Sequence, residues 1–199
     1  GLKENESFLD VCAAPGSKTT QIISNFKSEN SDLIVAGDFA RKRVELLKES
    51  CEKQGVGFVN VLQYDAEKSM PFAVESFDVV LVDAPCSGTG TLAHNPEIRY
   101  FLEEKDFVEL SRKQLKILSN ASKLVRKGGR LIYSTCSLER EENETVVFEF
   151  IKANTGFEII SPVLEEKFIS ADNFARTFPP RDNMDGFFIA VFTLSENSA

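Results

Sequence analysis

An α/β fold, with a mostly parallel sheet covered by helices on both faces, is what the sequence predicts. Three observations carry the prediction. Short apolar runs alternate along the chain with segments of helical period. Two of these runs, residues 77–82 and 129–133, are nearly continuous in apolar residues, as strands buried on both faces are. Acids, cysteines and small residues follow the runs directly. In an open α/β sheet the carboxyl ends of the strands line the active crevice.

The first strand covers residues 7–11 and runs into a small-residue loop, Cys12-Ala13-Ala14-Pro15-Gly16-Ser17-Lys18. Ile22, Ile23 and Phe26 then recur at helical spacing. The second strand covers 32–38. A helix over 41–54 carries Val44, Leu47 and Cys51 on one face, and Gly55 stops it. The third strand, 57–62, leads to Tyr64 and Asp65. The fourth, 77–82, leads into a long polar stretch over 84–99. The next helix, 106–126, has a buried stripe of Phe107, Leu110, Ile117, Ala121 and Leu124. Lys127-Gly128-Gly129 reads as its stop. The fifth strand ends at Cys136. A helix over 139–154 opens with Glu139, Glu141, Glu142 and Glu144, favourable at the positive end of a helix dipole.

A sixth strand over 157–160, an irregular stretch over 163–176 and a seventh strand over 185–192 complete the chain. With no full helix between them, the last two strands read as an edge hairpin whose final strand is antiparallel. No repeat or linker appears, so residues 1–199 read as one domain. The chain enters a strand almost at once, which predicts that upstream residues are missing.

With 199 residues the chain can build a sizeable core. No apolar run approaches the length of a membrane span, and no export signal is read. Cys12, Cys51, Cys86 and Cys136 are widely spaced, and His94 is the one histidine. That spacing excludes the usual zinc sites, so no metal is expected. The thiols are expected to be reduced, in the cytoplasm, and the protein to be a monomer. A net charge of −8 argues against a general phosphate-binding surface. Residues 99–130 are an exception, with nine Lys/Arg against four acids, a net +5. A solvated helix face is the simpler reading of that segment, and a local phosphate-contacting face the alternative.

The loop from Cys12 to Lys18 follows a strand and opens a helix, where small residues let backbone N–H groups approach a ligand. The loop departs from the P-loop pattern, because Ser17 separates Gly16 from Lys18 and no glycine lies five residues before Gly16. Asp38 ends the second strand, where an acid accepts ribose hydroxyls of an adenosine ligand or caps the next helix. Asp65 follows the third strand and is placed either to accept from an adenine amino group or to brace a turn. Together these positions suggest a nucleoside cofactor. Cys86 follows the fourth strand, three residues after Asp83, and Cys136 ends the fifth. Two cysteines at two such ends suggest a thiol nucleophile with an assistant, against the plainer reading of two small buried hydrophobes.

These motifs resemble the RsmB/Sun family of RNA cytosine-5 methyltransferases. The resemblance rests on Asp10-Val11-Cys12-Ala13-Ala14-Pro15-Gly16-Ser17-Lys18-Thr19, Asp83-Ala84-Pro85-Cys86-Ser87-Gly88-Thr89-Gly90 and Ser134-Thr135-Cys136-Ser137. Glu142-Asn143-Glu144 and Asp185-Gly186-Phe187-Phe188 add to it, and together the marks span nearly the whole chain. Ser17 departs from the family's usual glycine. The stretch the family carries before the first strand, with RNA-binding residues, is absent.

The resemblance implies a class I methyltransferase (Rossmann-like) fold, with seven strands and an antiparallel last one. It implies S-adenosylmethionine as cofactor. Cys12, Ala13, Ala14, Pro15, Gly16, Ser17 and Lys18 would hold the methionine end and Asp38 the ribose. Arg43 would support that site, Asp65 would reach the adenine, and Asp83 would sit near both the methionine end and the target base. Cys136 would be the nucleophile and Cys86 would release the product. The partner would be RNA, ribosomal in preference to transfer RNA.

The residue types suit that chemistry. Carbon 5 of cytosine is a poor nucleophile until a thiolate adds at carbon 6. A protonated Asp83, shielded from water, would stabilise charge on the pyrimidine ring. The base must be unpaired or flipped out. His94, Arg99, Tyr100 and Phe101 are placed to line its pocket, although for Tyr100 and Phe101 a core position is an equal reading. Arg176 and Arg181 are placed to meet phosphates. The competing readings are an amine or glutamine methyltransferase, and a catalytically silent cofactor-bound RNA scaffold. The first would leave the second cysteine idle, and the retained cysteines and acids argue against the second.

Overall fold

The computed structural model describes residues 2–3, 5–24 and 33–196. Asp32 and Phe26, expected in the second strand and first helix, lie outside them. The elements are β1 (Phe8–Asp10), α1 (Ser17–Ile23), β2 (Ile34–Asp38), α2 (Arg41–Lys53), β3 (Asn60–Gln63) and β4 (Phe77–Asp83). Then come α3 (Glu104–Ser122), β5 (Val125–Thr135), α4 (Glu144–Ala153), β6 (Phe157–Ile160), β7 (Ala175–Thr177), α5 (Pro179–Asp182) and β8 (Phe187–Leu194).

The sheet runs β3-β2-β1-β4-β5-β8-β6, with β7 paired to β8. Strands β1 to β5 are parallel, and β8 is antiparallel to β5, β6 and β7. The predicted fold class is therefore observed, with a short eighth strand in the stretch read as irregular. The sixth and last strands pair antiparallel at one edge, as expected, with β8 against β5, and β6 outermost. Phe188, Ala190 and Phe192 are fully buried, so β8 takes an interior place.

Alternating residues of the central strands feed two cores. Leu9, Val35, Val80, Val82, Leu131 and Tyr133 face the side that packs Ile117, Leu118, Val147 and Phe150 of α3 and α4. Phe8, Ile34, Ala36, Val79 and Leu81 face the other, with Ile23, Leu47 and Cys51 of α1 and α2. Cys51 is thus a buried hydrophobe of the second core.

Three helix ends depart from the sequence reading. α3 starts two residues earlier than predicted, where the Asp106 carboxylate accepts the Glu103 N–H at 2.8 Å. It stops at Ser122, and Val125 pairs with Phe77 instead of prolonging it. Burying Val125 in the sheet outweighs one more helical turn. Residues 126–129 then form an irregularity in β5, with Gly128 at φ +74°. The Lys127-Gly128-Gly129 run therefore shapes a strand and does not stop a helix. α4 begins at Glu144, not 139, because Glu142 and Asn143 turn inward and bond to loops.

Strand order reverses between β1 and β4, since β2 and β3 lie on one side and β5 on the other. Loops leaving such neighbours in opposite directions open a crevice at their carboxyl ends. Behind the crevice, Gly90 and Gly186 touch backbone to backbone. The Gly186 N–H donates to the Gly90 carbonyl at 2.8 Å, and a Cβ on Gly90 would sit 2.2 Å from the Gly186 oxygen. Gly90→Ala should therefore destabilise the fold by roughly 1–3 kcal/mol through steric displacement. Gly55 has φ +73° and open space around it, so Gly55→Ala should cost only about 1–2 kcal/mol of backbone strain. Urea unfolding of both variants measures this. A Gly90→Ala protein as stable as wild type, with its cysteine loops unmoved, would contradict the close contact.

Candidate active site

The cofactor half of the crevice is built by β1, β2 and β3. Gly16 sits at φ +107° as the cap of α1, a conformation that L side chains rarely adopt. Ala13 and Ala14 are buried, and the Ala14 N–H donates to Asp38 Oδ2 at 3.2 Å. Arg43 donates to both Asp38 oxygens at 3.2 and 3.3 Å and to the Ala14 carbonyl at 2.6 Å. Arg43 thus ties the loop to the acid, a role its position in α2 allows. Asp38 also accepts the Ala40 N–H at 3.3 Å, so it braces the start of α2 as well.

A cavity of about 120 Å³ opens here, lined by Cys12, Asp38, Phe39, Asp65, Ala66, Glu67, Pro85 and Lys113 among others. Asp65 accepts the Glu67 N–H at 3.0 Å, and the Lys68 ammonium holds its carboxyl below the usual carboxylate range. Three predicted positions, Cys12, Asp38 and Asp65, therefore share one cavity. Phe39, Glu67 and Lys113 were not expected there.

Asp10 is a further residue that sequence reasoning left without a role. It is fully buried, accepts the Thr19 hydroxyl at 2.6 Å on one oxygen, and has no partner on the other. Burial raises its pKa to about 7. The Cys12 thiol is pushed up by burial, with Asp10, Asp38 and Asp83 adding to the effect, which leaves it inert as a nucleophile.

The other half is built by β4 and β5. Asp83 pairs with Ser134 across them, and the Ser134 hydroxyl donates to Asp83 Oδ1 at 2.7 Å. Lys18 reaches over from the first loop and donates to Asp83 Oδ2 at 2.6 Å. Three residues past Asp83 and two past Ser134, Cys86 and Cys136 meet, with their sulfurs 3.2 Å apart. The Cys136 N–H also points at the Cys86 sulfur, at 3.3 Å. The Cys86 thiol, donating to Cys136, holds the latter below the ordinary thiol value, and the Lys18 ammonium helps. The same bond and burial push Cys86 well up. The pair therefore favours the thiolate at Cys136 and keeps the proton on Cys86.

Behind the sulfurs lies a buried polar network. Glu142 accepts from Ser87 and Ser137, Asn143 joins Thr135 to the Ser137 carbonyl, and the Leu138 N–H donates to Thr89 at 2.9 Å. Gln114, at a stripe position of α3, bonds both Pro85 and Glu142. A glutamine on an apolar helix face was the one signal in the sequence that pointed to this network.

The remaining predicted contacts separate. Tyr100 and Phe101 are 76% and 79% exposed, which removes the core reading. The guanidinium of Arg99 lies 5.5 Å from the Tyr100 ring centre. His94 pairs with Asp185 at 3.0 Å, Arg176 with Glu144 at 2.8 Å, and Arg181 with Asp182 at 2.9 Å. Part of the basic segment is paired with acids outside it. Lys113 and Lys116 reach Glu67, Arg126 reaches Asp78, and Arg130 reaches Glu6. Among the described residues no group of His, Cys, Asp or Glu is arranged to hold a metal, and no helix is long and apolar enough to cross a membrane.

The sequence profile of the family described as 16S rRNA methyltransferase RsmB/F matches residues 1–193. The chain belongs to that family. A probable ribosomal RNA small subunit methyltransferase B of Bacillus subtilis (strain 168) is 37% identical, over 94% of this chain and 43% of its own length. A ribosomal RNA small subunit methyltransferase F of Vibrio vulnificus is 35% identical, over 96% and 41%. NSun6 from Pyrococcus horikoshii, solved with SFG, superposes with a TM-score of 0.85 at 31% identity. That match covers 99% of this chain and 50% of the other. The chain thus spans less than half the length of the curated RsmB/F relatives named here.

S-adenosylmethionine is the cofactor of this family, and the residues fit it. The cavity carries an acid at each of two successive strand ends, and the glycine-capped loop beside it brings Lys18 to the cysteine side.

Two measurements test the electrostatics. Iodoacetamide should label Cys136 before the other thiols, with a midpoint below that of an ordinary thiol. Cys86→Ala removes the donor and should raise that midpoint, read by peptide mapping across pH; an unchanged midpoint would contradict the shared proton. For Asp10 the folded state keeps a proton that the unfolded chain releases near 3.8, so stability should fall as pH rises towards about 7. Asp10→Asn should flatten that slope in urea midpoints taken across the same range, and a slope equal to wild type would sink the assignment.

Proposed function

We propose that this chain transfers a methyl group from S-adenosylmethionine to carbon 5 of a cytosine in RNA, through a covalent adduct on Cys136. Ribosomal RNA is the preferred substrate over transfer RNA, in keeping with the names of the relatives. The observation that carries the reading is the 3.2 Å contact between two thiols of opposite tendency. A structural pair of buried hydrophobes would have no use for that asymmetry. The reading includes a reducing, cytoplasmic setting, which four free thiols suit.

The Cys136 thiolate adds to carbon 6 of an unstacked cytosine, which makes carbon 5 nucleophilic. When bound, S-adenosylmethionine supplies the electrophilic methyl group. Asp83 now accepts on both oxygens, from Lys18 and Ser134. Donation to ring nitrogen 3 therefore requires one partner to yield and a proton to reach Asp83. Lys18 is the mobile partner, with a 39% exposed side chain on a flexible stem, whereas Ser134 is fixed in β5. After methyl transfer a base must take the carbon-5 proton so that Cys136 is expelled as thiolate, and Cys86 in contact with Cys136 is placed to assist that release. The exposed Tyr100 and Phe101, with Arg99, offer stacking surface for unpaired bases.

Cys136→Ala should abolish methylation and form no adduct. Cys86→Ala should still add and methylate, then stall, and accumulate a denaturation-resistant RNA complex that depends on cofactor. A denaturing gel with labelled cofactor and digestion of the RNA to nucleosides reads both. Trapping by Cys136→Ala would reverse the roles. Full activity in both variants would end the covalent reading, and a labelled nucleoside other than 5-methylcytosine would end the substrate assignment.

A further inference from the structure

We propose that Glu142 is a positioning residue whose carboxylate clamps the two cysteine loops and sets the distance between the thiols. The step this serves rests on the covalent reading above; the clamp itself is read from geometry alone.

Glu142 is 0% exposed and lies in the turn before α4. Its Oε1 accepts the Ser87 N–H at 2.9 Å and the Gln114 amide at 2.8 Å. Its Oε2 accepts the Ser137 hydroxyl at 2.5 Å and the Ser87 hydroxyl as well. Ser87 directly follows Cys86, and Ser137 directly follows Cys136. One side chain therefore holds the residue after each cysteine. Gln114 extends the grip to the residue before Cys86, through the Pro85 carbonyl at 3.0 Å. The backbone of Glu142 is held too, because its carbonyl accepts the Tyr133 hydroxyl at 2.5 Å.

These four partners of the carboxylate are uncharged. Burying a carboxyl group is costly unless it is fully hydrogen-bonded, so a residue that merely filled space here would be apolar. Hydrogen bonds to a carboxylate are short and directional, which suits a device that fixes two loops against each other. The sulfurs lie one residue before the clamped serines, 3.2 Å apart. A misplacement on the order of 1 Å between reacting groups can cost about a hundredfold in rate. Neither cysteine touches Glu142, so its effect passes through the serines.

The test uses the thiols as their own ruler. Diamide takes up two electrons and two protons to become a hydrazine, while Cys86 and Cys136 lose them and join. Its rate in the presence of the protein reports how closely the sulfurs approach. Glu142→Ala should slow formation of the Cys86–Cys136 disulfide roughly tenfold or more. It should also raise the Cys136 alkylation midpoint, since the Cys86 donor is no longer held in place. Glu142→Gln keeps the shape and can still bond both hydroxyls, so it should recover most of the wild-type rate. Circular dichroism checks folding. If Glu142→Ala does not fold, Ser137→Ala carries the test and should show an intermediate slowing.

A folded Glu142→Ala or Ser137→Ala protein with wild-type disulfide rate and alkylation midpoint would overturn the proposal. In a parallel arm with RNA and cofactor, Glu142→Ala should accumulate the trapped complex expected of Cys86→Ala. If wild type forms no 5-methylcytosine, the functional reading fails, and the thiol measurements still decide the clamp.

Discussion

Parallel pairing of β4 with β5 sets Asp83 opposite Ser134, and the site follows from that register. Parallel neighbours end at the same side of the sheet, about 4.8 Å apart. Two loops then start together, and a cysteine placed just beyond each strand end meets its counterpart. A shift of one residue in either strand would turn Asp83 to the other face and part the sulfurs. The register is held from below by Val79 to Val82 against Arg130 to Tyr133, where buried side chains leave no room to slip.

Much of this was legible in the sequence, because each central strand is a short apolar run that ends at its functional residue. Asp38, Asp65, Asp83, Cys86 and Cys136 all stand at or beyond strand ends, as their runs implied. What was not legible has a common cause. At 139–143 and 123–126 a helical pattern gave way to tertiary demands. Glu142 looked like one acid among several in a first turn, but its carboxylate joins the neighbouring Cys136 loop to the Cys86 loop, 55 residues away. Leu124 and Val125 fit a helix stripe and a buried strand equally well, and the sheet decides between them. The position of β8 between β5 and β6 depends on three strands meeting, which no local pattern encodes.

The polar network behind the cysteines inverts the usual relation between core and site. Tyr133, Gln114, Glu142, Asn143 and Thr135 are as buried as the leucines around them. Each finds a hydrogen-bond partner, so the low dielectric strengthens the bonds that it makes costly to lose. Such a network has one good geometry, whereas an apolar core of equal volume tolerates several packings. The partly buried cysteines therefore sit on a well-defined base.

Across the crevice, Lys18 joins the two halves. It belongs to the cofactor loop, yet it bonds Asp83 and lowers the pKa of Cys136. An ammonium near a thiol favours its charged form, so one flexible side chain both bonds the acid and bears on the nucleophile. The link is also geometric. Gly16 fixes the start of α1, and Lys18 stands one turn residue beyond Ser17, so any displacement of the small-residue loop displaces the ammonium. The strand ends supply fixed positions for the acid and the thiols. The ammonium beside them comes from the other half of the sheet, which is how the cofactor loop acts on the chemistry of Cys136.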